Sequence, residues 1–294
     1  MKIVIAALAV IATAWGPARG ARQEASIAPQ PTSIEGARTH VYKSIDGIDL
    51  RLHVFTPHDH LASMKSPAIV FFFGGGWTQG TVEQFVPQSQ HLAAGGMVAI
   101  VADYRVFGRH KTTPFDAITD AKSAIRWVRS HARQLGIDPA RIAAGGGSSG
   151  GHIALSAAVF DRFDDPREDK SINSKPNALV LFNPAVDTSA APTFAARTPG
   201  REQEGSPFHH LDRTLPPTVI LHGTADATVP YASVERFCAR AKELGRRCEV
   251  IGYEGAEHAF FNPRNADGKW YRETVLEMDR FLTSIGYLSK SVAR

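Results

Sequence analysis

In the stretch RIAAGGGSSGGHIALSAA, residues 141–158, a short apolar run passes through a cluster of glycines and two serines into an alanine-rich, helix-prone segment. Gly146-Gly147-Ser148-Ser149-Gly150 fits the pattern G-x-S-x-G, in which a serine stands on a sharp turn between a strand and a helix. The glycines relieve crowding where the backbone is strained, and the turn lifts the serine hydroxyl above the sheet edge. A phosphate-binding loop is the competing reading of so many glycines. The spacing G-x-x-x-x-G-K-[ST] is absent, however, and no lysine follows to hold a phosphate.

Working outward, the same alternation recurs. HVYKSI (40–45) and LRLHVFT (50–56) read as a strand pair. AIVFFF (68–73), VAIVAD (98–103), RIAAGG (141–146), ALVLFN (178–183), TVILHG (218–223) and EVIGYE (249–254) are short apolar runs of buried parallel-strand type. Helical patterns cover 82–94, 114–135, 150–160, 232–244 and 271–285. Eight strands alternating with helices predict a mostly parallel, doubly wound α/β sheet with helices on both faces. Segments 161–176 and 187–215, rich in Pro, Gly, Arg and Ser, read as loops over the carboxyl ends of the strands, too short for more than a small cap.

Composition fits a folded domain: 43% hydrophobic and 21% charged over 294 residues. The net charge of +4 is spread along the chain without dense basic runs, which argues against nucleic acid as a partner. MKIVIAALAVIATAWGPARG (1–20) places Lys2 before an apolar run and ends with Ala18 and Gly20 at signal-peptidase spacing. It is read as a cleaved export signal, 21–38 as a flexible leader, and 39–294 as the catalytic domain. The apolar run is too short to span a bilayer, so stable membrane insertion is not expected, and the location is secreted or periplasmic. In that oxidising setting the only two cysteines, Cys238 and Cys248, are expected to pair.

A serine hydroxyl is a weak nucleophile until a base takes its proton. His258, in YEGAEHAFFN (253–262) after the last strand, is the candidate base. Asp226, in HGTADATVP (222–230), is the candidate carboxylate, with Asp187 as its rival. The chain order serine, acid, histidine matches the order expected behind such an elbow. In AIVFFFGGGWTQG (68–80) a strand runs straight into three glycines, whose N–H groups are approachable. Gly74, Gly75 and the N–H of Ser149 are the candidate donors to a developing oxyanion. Trp77 beside them is either a stacking platform for a sugar or a packing residue. The remaining histidines read as structural. His58-Asp59-His60 lacks a third distant ligand, so no metal site is assigned.

Taken in order, FFFGGGW, DYR at Asp103 to Arg105, the helix from Asp116, GGSSGGH, HGTAD and GAEHAFF resemble the α/β-hydrolase esterase/lipase family, over about residues 40–285. The likeness is to its hormone-sensitive-lipase-like and acetyl- or feruloyl-esterase-like branches. It implies a hydrolase of carboxylic esters that needs no metal and no cofactor, acting on small-molecule or polysaccharide esters, with short acyl groups expected. A serine peptidase of the same fold and a catalytically inactive binding protein are the alternatives. Two departures stand out: Phe73 occupies the place of the family's usual His before the glycines, and Gly147 that of the usual Asp or Glu before the serine.

Overall fold

The computed structural model describes residues 27–189 and 191–289; the expected export signal and the first residues of the leader lie outside them. Eight strands form one sheet in the order β1-β2-β4-β3-β5-β6-β7-β8: β1 Arg38–Ile45, β2 Ile48–Phe55, β3 Ser66–Phe72, β4 Val98–Ala102, β5 Ile137–Gly147, β6 Ala178–Phe182, β7 Thr218–Gly223 and β8 Cys248–Tyr253. Strands β3 to β8 run parallel, whereas β1 and β2 pair antiparallel to each other and β2 antiparallel to β4. Every residue of β4, β6 and β7 is buried, which is why these strands carry runs of apolar residues without alternation.

The helices are α1 Val86–Ala94, α2 Phe107–His110, α3 Pro114–Ser130, α4 Ala132–Leu135, α5 Ser149–Val159, α6 Pro192–Ala195, α7 Tyr231–Glu243 and α8 Lys269–Ser284. The pattern read as one helix over 82–94 is a 3-10 turn, Val82–Phe85, followed by α1, with Pro87 in the first helical turn. That over 114–135 is broken at His131 (φ −99°, ψ 10°), so α3 and α4 are separate. A capping box of Thr113 and Asp116 fixes where α3 starts.

Helix α5 is buried along its whole length, so it must lie directly on the sheet. Two glycines permit this. A Cβ on Gly150 would stand 2.1 Å from Phe72 O, and one on Gly146 would stand 2.5 Å from the same oxygen. The G-x-S-x-G spacing is thus a close-packing requirement of strand against helix.

Two loop expectations are corrected. Segment 161–176 does not cover the carboxyl ends of the strands. It follows the flank of α3, held by Lys122 and Arg126 on Asp164, Arg126 on Glu168, and Arg129 on backbone carbonyls, down to the amino end of β6. A helix-to-strand connection has to return to that edge. The leader read as 21–38 already touches the domain at Ile27 and Ala28, which meet Gly108 and Arg109, and the Gln30 side chain bonds to Gly80 and Val82.

Candidate active site

Ser148 sits between β5 and α5 with φ +54° and ψ −118°, a conformation costly for a residue with a Cβ. Its N–H donates to Phe182 O (2.9 Å), and its carbonyl accepts the N–H of His152 (2.9 Å), so neighbouring elements impose the strain. The side chain is left to point outward. Ser148 Oγ lies 3.0 Å from His258 Nε2, and His258 Nδ1 lies 2.7 Å from Asp226 Oδ2. Three residues far apart in the chain therefore form one continuous hydrogen-bonded line.

The turn after β7 holds Asp226 by its other oxygen. Oδ1 accepts the N–H groups of Thr228 (2.9 Å) and Val229 (2.8 Å). Burial would raise the carboxyl pKa, but hydrogen bonds from His222, His258 and Val229 N–H outweigh it and hold Asp226 well below the usual carboxylate range. Asp226 is therefore ionised wherever a neutral His258 could act as a base. The rival Asp187 is elsewhere, bonded to Ser189 and Ser206.

His222 is a participant that sequence reading left without a role. It is fully buried, with Nε2 2.8 Å from Val229 O and 3.3 Å from Asp226 Oδ2, and so braces both ends of the acid turn. The motif HGTAD was its signal. Asn183, also missed, accepts the N–H of Ala259, the residue after His258, on Oδ1 (3.2 Å).

The cleft above Ser148, about 380 Å³, is lined by Gly74, Gly75, Gly76, Gln84, Asn183, Thr228, His258 and Phe261 among others. Here one assignment changes. The N–H of Gly74 already donates to Gln84 Oε1 (2.6 Å) and is not free for an oxyanion. The N–H groups of Gly75 and Gly76 have no acceptor among the described residues, and both residues adopt positive φ (+133° and +63°). Gly76, and not Gly74, thus offers a free N–H beside Gly75. A side chain ten residues downstream decided this, which the glycine run alone does not reveal.

Trp77 is corrected as well. It is 4% exposed, its Nε1–H donates to His152 Nδ1 (3.2 Å), and its ring stands edge-on to His152 and Phe194. The indole is a packing residue with no free face for a sugar. His152 passes the contact on to Gly205 O (2.8 Å), and burial pushes its pKa down to about 4, which keeps it neutral. At Phe73 the position usually held by His is apolar: the ring stacks on Tyr104 (4.2 Å between centroids), and Tyr104 O–H donates to Phe73 O (2.7 Å). Stacking and that single bond hold the strand end just before the glycines.

Cys238 on α7 and Cys248 on β8 are both buried, with Cα atoms 5.2 Å apart, within the reach of a disulfide. No helix among the described residues is long and apolar enough to cross a membrane.

This sheet, its strand-to-helix elbow and the glycine loop beside it define an α/β-hydrolase fold of the esterase group. The BD-FAE family profile matches residues 52–240, and the chain belongs to that family. The apo structure of Thermogutta terrifontis esterase 2 superposes with a TM-score of 0.85 at 44% identity, covering 87% of this chain and 97% of that one. Among curated proteins, the probable carboxylic ester hydrolase LipM of Mycobacterium tuberculosis is 30% identical over 242 residues, 75% of this chain and 54% of LipM. Esterase LipC of the same organism is 27% identical over 230 residues, 68% of this chain and 54% of LipC. The chain spans about half the length of these curated relatives.

Proposed function

We propose that the chain is a carboxylic ester hydrolase for short acyl groups that works through an acyl-enzyme on Ser148. The observation that carries this is the Ser148–His258–Asp226 line, with separations of 3.0 and 2.7 Å. His258 Nε2 takes the hydroxyl proton as Oγ attacks the ester carbonyl, while Asp226 holds the Nδ1–H tautomer and stabilises the imidazolium. Gly75, Gly76 and Ser149 N–H groups stabilise the oxyanion, each contributing about 3 kcal/mol. The tetrahedral species collapses as His258 gives its proton to the departing alcohol oxygen. Water, deprotonated by His258, then attacks the acyl carbonyl, and the second tetrahedral species collapses to the free acid as the C–Oγ bond breaks and His258 returns the proton to Ser148 Oγ.

The short-acyl part rests on the size of the cleft, about 380 Å³, which Phe261 and Gln84 line together with Ser148. Thermogutta terrifontis esterase 2, similar in structure to this chain, has been solved with propionate and with butyrate bound. Trp77, being buried, gives no support to a polysaccharide substrate, and the proposal does not extend to one. Export through residues 1–20 and a Cys238–Cys248 disulfide complete it. The charged, apolar and small-residue zones of the leader sequence support the first, and the 5.2 Å Cα separation supports the second.

The test is hydrolysis of nitrophenyl esters from acetate to palmitate, with fluorophosphonate labelling of the parent and of Ser148→Ala. Hydrolysis greatest for acetate to butyrate, and labelling lost in the variant, is the expected result. Preference for palmitate would refute the acyl assignment, and undiminished labelling of the variant would refute the nucleophile.

A further inference from the structure

Gln30 lies more than a hundred residues before Ser148, yet its carboxamide is joined to the glycine loop at two points. Nε2–H donates to Gly80 O (3.2 Å), and Oε1 accepts the N–H of Val82 (3.1 Å). Arg109 Nη1 reinforces the junction by donating to Gly80 O (2.9 Å) and Ala28 O (3.5 Å), and Ile27 rests against Gly108. The two groups that Gln30 holds flank the machinery for the oxyanion. Gly80, at φ +111°, presses on Gly74 so closely that a Cβ there would stand 2.1 Å from Gly74 O. Val82 opens the 3-10 turn that carries Gln84, and Gln84 Oε1 takes the N–H of Gly74. Gly74 is therefore packed at its carbonyl against Gly80 and hydrogen-bonded at its amide to Gln84, and Gln30 spans both neighbours.

We propose that Gln30 is a positioning residue for the oxyanion donors, acting from an N-terminal strap that does not touch the substrate. The inference rests on the reading of Ser148 as nucleophile with Gly75, Gly76 and Ser149 as donors. A carboxamide offers one donor and one acceptor in a plane, as a strand neighbour would, and so fixes Gly80 and Val82 relative to each other. The negative charge on the carbonyl oxygen develops in the transition state, so a small shift of the loop lowers turnover more than it weakens substrate binding.

Gln30→Met keeps the bulk and loses both bonds, whereas Gln30→Glu keeps the acceptor for Val82 and loses the donor to Gly80. For each, kcat and KM on nitrophenyl acetate, the fluorophosphonate labelling rate, inhibition by propionate and the thermal midpoint are measured. Gln30→Met should lose roughly three- to tenfold in kcat and in labelling rate together, with KM and propionate inhibition within about twofold of the parent and an unchanged midpoint. Gln30→Glu should fall between. A Gln30→Met variant with parental kcat, or one whose loss follows a lowered midpoint, overturns the proposal. Should Gln30→Met fail to fold, parental kcat in Gln30→Glu overturns it instead. A parent that neither hydrolyses esters nor takes the label refutes the reading of the site itself, while an active parent with indifferent variants refutes only the role of Gln30.

Discussion

The ring of Phe261 fills the space that a side chain at Gly147 would need: a Cβ built on Gly147 stands 2.5 Å from Phe261 Cζ. The ring stacks against Phe85 at 5.4 Å, is tilted against Phe182 at 4.8 Å and is 1% exposed. In this chain the ring stands where the side chain of an acidic residue before the nucleophile would begin. Gly147→Ala should therefore lower unfolding stability by about 1–3 kcal/mol through overpacking. It should also lower kcat, because Phe261 follows His258 by three residues. Denaturant unfolding and ester hydrolysis check the pair of effects; a variant of parental stability would show that the ring can yield.

The strain at Ser148 gives a second expectation. Ser148→Ala and Ser148→Gly should both lose several orders of magnitude in activity. Alanine keeps the penalty of φ +54° and glycine removes most of it, so Ser148→Gly should unfold about 1 kcal/mol less readily than Ser148→Ala. Thermal or urea unfolding of the two inactive variants makes the comparison without interference from catalysis.

Asp103, in the motif DYR, gives a pH dependence. Burial raises its carboxyl pKa to about 7, against the opposing pull of Arg109 and the Tyr104 N–H. Between about pH 4 and pH 7 the folded chain holds a proton here that the unfolded chain has released. Stability contributed by this group is thus full below about pH 4, is lost as pH rises to about 7, and is flat above. Unfolding free energies of the parent should slope downward across that interval more steeply than those of Asp103→Asn. Parallel slopes would refute the assignment.

Cys238 and Cys248 close a short loop, for which a disulfide contributes about 2–3 kcal/mol. The oxidised protein should melt higher than the reduced protein or Cys238→Ala, with kcat at 25 °C little altered. Two free thiols in exported protein, seen by non-reducing mass spectrometry, would remove the bond from the account.

Much of this site was legible because its parts are local. The elbow and the acid turn follow strands whose last residues are buried, the histidine loop follows the half-buried edge strand β8, and strand ends converge on one sheet edge wherever the strands are parallel. Residues whose roles depend on a distant partner were not legible. Nothing beside Trp77 in sequence says that Phe194 and His152 enclose it, and nothing in the glycine run says that Gln84 occupies one of its three amides. His222 was hidden for another reason: its environment is completed by Val229 and Asp226 on a turn whose path is set only once β7 is in the sheet. Segment 161–176 was misplaced because composition identifies a loop but does not tell which edge of the sheet it crosses.

The base and the nucleophile hang from different parts of the sheet. Ser148 follows β5, an interior strand, whereas the loop bearing His258 follows β8, an edge strand whose ladder partner among the described residues is β7 alone. Such a strand opens locally at lower free energy than the interior does. Warming should silence the chain before it melts it: reversible loss of turnover, as the β8 margin opens and carries the imidazole out of reach, would precede the cooperative transition. The working temperature ceiling is then a property of one margin of the sheet, and a disulfide between Cys238 and Cys248, joining α7 to β8, would be placed where it raises that ceiling.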